Sequence, residues 1–169
     1  MSEPTFEIIE PGLLTTVQDR GRYGFQKYGV PVSGAMDIFS LRAANTLVGN
    51  DQNAACLELT GVGPKMRVMS EAIVSITGGD LGILVDDKPL PRWAGVRVTK
   101  GSILSSEGTR DGFRAYLAIA GGIDVPVILD SRSTFLKGRF GGFDGRPLRQ
   151  GDILASLPLE AGRELKERA

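Results

Sequence analysis

Glycine sets the terms on which this chain can fold. It occupies 23 of 169 positions, about twice the roughly 7% of average usage. The glycines are scattered between short apolar runs and form no low-complexity tract, which is the pattern of many short strands joined by tight turns. Strands are expected at 6–9, 66–69, 72–76, 83–85, 96–98, 113–120 and 153–155, with shorter ones around Thr15–Gln18 and Leu57–Thr60. In the run from Phe113 to Ile119, apolar Phe113, Ala115, Leu117 and Ile119 alternate with a face carrying Arg114 and Tyr116. That alternation reads as a half-buried strand. One interior helix is expected over about 37–48. Asp37 is its N-cap, Ile38, Leu41, Ala44 and Val48 share one face, and Gly49-Asn50 is the stop. The expected fold is mainly β with one helix in a domain over 1–157. A charged tail or linker follows over 158–169, with a weak second helix starting near Pro158.

Composition removes several function classes. Lys plus Arg and Asp plus Glu number 20 each, so the chain lacks the basic excess that a general nucleic-acid binder needs. There is no histidine, which excludes Ser-His-Asp triads, Cys-His dyads and His-ligated metals; no metal site is expected. Proton transfer here falls to carboxylates, Lys, Tyr or another chain. The one cysteine, Cys56, can form no internal disulfide, and its apolar neighbours point to a buried thiol. No secretory signal is visible and no apolar run is long enough to span a membrane, so a cytoplasmic location is expected.

Four segments carry polar groups worth weighing. In Thr15-Thr16-Val17-Gln18-Asp19-Arg20-Gly21-Arg22, an amide, an acid and a guanidinium share one small loop. The set suits a carboxylate or carbonyl ligand; spacing alone favours a turn in which Asp19 accepts backbone N–H bonds and Arg22 pairs at the surface. Ser33 and the amides before the helix can line an anion-binding N-terminus, with Asp37 as a ligand contact or simply a cap. Asn45 borders the apolar helix face, so it either braces the preceding loop or faces a ligand. Glu58 sits between Leu57 and Leu59, and alternation turns it toward solvent or a pocket. Between Asp130 and Arg149 there are five bases and two acids, with Arg132 and Ser133 among hydroxyls and glycines able to hold a phosphate or carboxylate. No phosphate-binding loop or dinucleotide fingerprint occurs.

Taken in order, T-T-V-Q-D-R-G-R-Y-G (15–24), G-V-P-V-S-G-A-M-D (29–37), A-A-N-T-L-V-G-N (43–50), L-E-L-T (57–60), R-A-Y-L-A-I-A-G-G-I-D-V-P (114–126) and D-S-R-S-T (130–134) resemble the biotin-dependent carboxyltransferase-like family. That family includes the C-type subunit of bacterial 5-oxoprolinase, allophanate-hydrolase subunit 2 and part of the urea carboxylase carboxyltransferase domain. The resemblance runs across about 6–155.

The resemblance implies a cyclophilin-like β-barrel and work within a complex. Implied partners are a carboxyltransferase-like B-type subunit, together with the A-type subunit of oxoprolinase. Such a complex hydrolyses 5-oxoproline to glutamate with ATP, and ATP is expected to be bound by the complex. The resemblance turns Gln18, Asp19, Arg22, Ser33, Asp37, Asn45 and Glu58 toward a shared pocket; Asp19, Arg22 and Glu58 are the expected catalytic residues, and Gln18, Ser33, Asp37 and Asn45, with Arg132 and Ser133 of the basic segment, the expected substrate contacts. Members of the family carry a second barrel-like half after the first, so a site made between halves would be incomplete here, and the uncovered surface invites self-association. Two other roles fit the family. One is the carboxyltransferase component of a biotin-dependent urea or amide carboxylase, with biotin as cofactor; the other is a non-catalytic binding module that sequesters its partner.

Overall fold

Two antiparallel sheets face each other in the computed structural model, which describes residues 2–158. The expected tail helix beyond Pro158 lies outside these described residues. The first sheet is built from β1 (Glu3–Glu10), β4 (Lys65–Val68), β6 (Ile83–Val85), β7 (Lys88–Pro89), β9 (Ile103–Ser106) and β11 (Ile153–Ser156). Its strand order is β11-β1-β4-β9-β6-β7. The second takes β2 (Leu14–Gln18), β3 (Cys56–Thr60), β5 (Ala72–Asp80), β8 (Gly95–Val98) and β10 (Asp111–Ile119), in the order β2-β3-β10-β5-β8. The chain is thus mainly β with one α-helix among the described residues, as the glycine-punctuated runs predict. The sheets form a two-layer packing, and β7, an exposed Lys-Pro pair, ends the first sheet. Proline cannot donate to a ladder, so an edge is the place for it.

Alternation explains the core. Phe6 and Ile8, Met66 and Val68, Leu104 and Leu154 point from the first sheet. Val17, Leu57 and Leu59, Val74 and Ile76, Ala115, Leu117 and Ile119 meet them from the second. Burying one Leu- or Ile-sized side chain contributes roughly 1.5–3 kcal/mol, so this layer holds most of the stability.

A second, smaller core lies on the outer side of the second sheet, where α1 (Ile38–Leu47) packs Leu41 and Ala44 on Ile73, Tyr116 and Ala118. The helix starts where Asp37 accepts the Ser40 N–H at 3.0 Å. It stops at Gly49, whose φ of 77° suits glycine; Gly49 N–H donates to Thr46 O and Asn50 N–H to Asn45 O, a Schellman closure. Ser75 and Thr77 hydroxyls rivet the helix to the sheet through Ala44 O and Ser40 O, both at 2.7 Å.

This helix corrects one expectation. β10 is not half-buried: from Ala115 to Ile119 it is buried on both faces, because α1 covers the side that carries Tyr116. Cys56 lies in the same layer at 0% exposure, and burial pushes its thiol well above the ordinary value. A neutral thiol without solvent access is a poor nucleophile. A thiol-reactive disulfide reagent is expected to leave Cys56 unmodified in the folded chain and to titrate one thiol after denaturation, read by absorbance. No helix among the described residues is long and apolar enough to cross a membrane.

Candidate functional site

The pairing of β3 with β10 sets Glu58 opposite Tyr116 and Thr60 opposite Arg114, and side chains two apart on a strand share a face. Glu58, Thr60, Arg114 and Tyr116 therefore form one polar inlay under the loop that enters α1. Glu58 is 5% exposed. Its Oε1 accepts from Arg114 Nη1 at 2.6 Å, and its Oε2 accepts from the Tyr116 hydroxyl at 2.7 Å and the Met36 N–H at 2.9 Å. A buried carboxylate needs such partners. The expectation of a solvent-facing Glu58 is corrected: it is buried and held by three donors.

The loop is held by three successive amides. Ala35 N–H donates to Asp19 O at 2.9 Å, Met36 N–H to Glu58, and Asp37 N–H to the Tyr116 oxygen at 2.8 Å. The amides before the helix are therefore spent on the protein's own groups, and the anion beside them is the Glu58 carboxylate. Burial, opposed by the Asp37 amide and reinforced by Glu58, pushes the Tyr116 phenol above its ordinary value. Tyr116 stays a neutral donor to Glu58. Arg114 is different: its side chain is 32% exposed, and one nitrogen serves Glu58 and, at 3.1 Å, Thr60. Its other nitrogens make no hydrogen bond among the described residues. A carboxylate that holds one guanidinium nitrogen orients the group and leaves its other N–H donors for an oxygen ligand.

Asp19 and Arg22 build a second constellation at the end of β2. Asp19 Oδ1 accepts from Gly21 N–H at 2.7 Å and from the hydroxyls of Ser131 and Ser133; Oδ2 accepts from Arg132 N–H at 2.6 Å. Ser133 Oγ also accepts the Asp19 N–H at 2.9 Å. Arg22, at 0% exposure, donates to Ser133 O and stacks on Phe140, with its guanidinium carbon 4.9 Å from the ring centroid. Burial pulls the Arg22 guanidinium below its ordinary value, and Asp19 partly offsets this. The surface-pair reading of Arg22 is thus overturned, while the reading of Asp19 as a receiver of backbone N–H bonds matches the geometry. Together they clamp the β2 turn to the 131–133 loop. Gly21 and Gly34 make the neighbouring crossing possible: a Cβ on Gly34 would stand 2.7 Å from Gly21 N and one on Gly21 2.8 Å from Ser33 O.

The remaining candidates separate. Gln18 is buried against Thr16, its Nε2 donating at 3.1 Å, and its Oε1 finds no partner among the described residues. Ser33 stands at the crossing with a left-handed φ of 56°. Asp37 caps α1. Asn45 braces the loop that follows the helix rather than the one before it: at 0% exposure it donates to Ala54 O at 2.8 Å and accepts from Asn50. Arg132 donates through Nε to Val125 O at 3.0 Å. Farther along the basic segment, Arg139, Arg146 and Arg149 edge an open hollow of about 570 Å³. Arg146 there is already tied to Asp152 at 2.7 and 2.9 Å. Arg114 and Tyr116 are additions to the expected site residues. Their alternation in 113–119 is the available signal, but only strand pairing brings them to Glu58.

A profile of the carboxyltransferase domain, subdomains A and B, matches residues 28–168. The chain is 48% identical over 150 residues to the urea amidolyase of Lachancea kluyveri, covering 88% of this chain and 8% of that protein. It is 43% identical over 150 residues to the C-type subunit of 5-oxoprolinase from Escherichia coli K12, covering 88% of this chain and 48% of that protein. The crystal structure of the Kluyveromyces lactis urea amidolyase superposes with a TM-score of 0.88 at 41% identity, over 94% of this chain and 10% of that one. This chain therefore spans about half of the 5-oxoprolinase relative and a small part of the urea amidolyases. The chain belongs to the carboxyltransferase-domain family, subdomains A and B.

Proposed function

We propose that this chain supplies part of the C-type component of an ATP-dependent 5-oxoprolinase, a hydrolase acting on the cyclic amide 5-oxoproline, and works only with partners of the A and B types. The observation that carries the reading is the partly exposed Arg114 guanidinium, held through Nη1 by buried Glu58. 5-Oxoproline offers two oxygen ligands to such a group, its carboxylate and its lactam carbonyl. When water adds to the lactam carbonyl carbon, negative charge grows on the carbonyl oxygen, and a preoriented cation stabilises it. ATP belongs to the assembled complex in this reading; no nucleotide motif lies in this sequence. Asp19 and Arg22 position the loop that carries Met36, and Glu58 acts through Arg114.

Identity of 48% and 46% to two urea amidolyases favours a second reading, the carboxyltransferase component of a biotin-dependent urea carboxylase. Urea shares the amide carbonyl but carries no carboxylate, so the two readings ask different things of Arg114.

The experiment assembles this chain with A-type and B-type partners and with the remainder of a C-type subunit. ATP-dependent glutamate release from 5-oxoproline is then measured beside carboxybiotin-dependent urea carboxylation. Glutamate release is expected. Urea carboxylation without glutamate release replaces the first reading by the second, and neither activity in an assembled complex removes both.

A further inference from the structure

Beside its buried face, α1 carries a second apolar stripe that the sheet does not cover. Leu41, Ala44 and Val48 face the sheet, yet Phe39, Ala43 and Leu47, at spacings of four, form a second stripe on the outward face. With Arg42, Thr46, Gln52 and Trp93 they line an open groove of about 440 Å³, within the size range of small-ligand sites. None of these residues belongs to the Glu58 or Asp19 constellations.

Three features make the groove more than a greasy helix face. Phe39 is 73% and Trp93 40% exposed, and their rings meet at 6.2 Å between centroids with a 42° tilt. This gives a bent aromatic wall rather than isolated surface side chains. Trp93 also holds a left-handed backbone, φ 57°, secured by its N–H on Ile76 O at 2.9 Å. That conformation is unusual for a bulky residue, and here it sets the indole beside Phe39 above the helix. Finally, the groove's charge is one-sided: among the described residues, Arg42 is its only ionisable lining group. An aromatic wall beside an unopposed guanidinium complements a flat ring that bears an acid group.

We infer that the outer face of α1 is a binding site for a small planar aromatic anion, its ring against Phe39 and Trp93 and its acid group on Arg42. The ring-plus-acid chemistry is shared by nucleotides and by simple aryl carboxylates or sulfonates. This inference goes beyond the oxoprolinase reading and does not rest on it.

Trp93 is the single tryptophan of the chain, so its emission reports on this groove alone. The 169-residue chain is titrated with 8-anilinonaphthalene-1-sulfonate and with AMP, beside their uncharged counterparts N-phenyl-1-naphthylamine and adenosine. Calorimetry supplies the stoichiometry. Expected is a saturable one-to-one change in Trp93 emission with at least one anion, weakened about tenfold or more in the uncharged counterpart and in Arg42→Gln. Ala43→Phe, which fills the groove, abolishes it, and Phe113→Ser, on the far end of β10, leaves it unchanged. Saturation by AMP identifies the nucleotide source, and saturation by the sulfonate alone the aryl-acid source.

No saturable change with either anion overturns the inference. So does binding that Arg42→Gln and Ala43→Phe leave unaltered. A Trp93 signal that instead follows protein concentration, with a dimer in sedimentation, overturns it in favour of a second copy covering the helix. Circular dichroism of each variant separates loss of binding from loss of fold. Turnover of 5-oxoproline plays no part in the readout, so its failure and failure of the oxoprolinase reading remain distinguishable.

Discussion

Asp19→Ala is expected to destabilise the fold by about 3–5 kcal/mol, measured by urea denaturation followed by circular dichroism. The carboxylate accepts from two backbone amides and two serine hydroxyls. Removing it strands all four in a nearly closed site, beside a buried guanidinium whose Nη1 already lacks a partner among the described residues. Marginal stability of about 5–15 kcal/mol is usual for a domain, so a loss of this size leaves a measurable unfolded fraction under mild conditions. Asp19→Asn keeps one acceptor oxygen and falls between wild type and alanine. A loss under about 1 kcal/mol for Asp19→Ala would mean that the 131–133 loop is held by something else.

Glu58→Gln is expected to act mainly on turnover. The amide side chain keeps an acceptor oxygen for Tyr116 and Met36 but no longer carries the charge that pins Arg114. On the proposed function, glutamate release by the assembled complex falls about 100- to 1,000-fold, the scale for losing one preorganised charge-stabilising contact. The loss of stability is the smaller effect, because Arg114 can turn its partly exposed guanidinium toward solvent. Equal turnover by wild type and Glu58→Gln would remove Arg114 positioning from the account.

Much of the fold is legible in the residues themselves. The apolar runs around Phe6, Val74, Leu84 and Leu117 each form strands, and most of their buried side chains supply the inter-sheet core. The helix is legible at both ends, from the Asp37 cap and from Gly49 with its left-handed backbone. β9 escapes notice because Ile103-Leu104-Ser105-Ser106 offers only two apolar residues and no alternation. β7 escapes because two exposed residues, one a proline, carry no pattern at all.

The site is harder to read, for a different reason. Asp19 meets its serines across sequence separations of 112 and 114, and Glu58 meets Tyr116 across 58. No local spacing encodes such encounters; they are consequences of strand order. Local chemistry suggests that Asp19, Arg22 and Glu58 need partners. It does not say that Asp19 spends itself clamping two loops, or that Glu58 is buried and Arg114 partly exposed. Asn45 teaches the same lesson at short range: a buried amide beside a helix demands partners, and the Gln52–Ala54 loop supplies them.

Glu58 is expected to serve function through Arg114, which a double-mutant cycle separates from an independent role. kcat/KM for ATP-dependent glutamate release is measured on the assembled complex for wild type, Glu58→Gln, Arg114→Met and the double variant, with partner assembly checked for each. If Glu58 works through Arg114, the double variant is no slower than Arg114→Met alone, a large departure from additivity. Independent, multiplying losses would instead give the two residues separate roles.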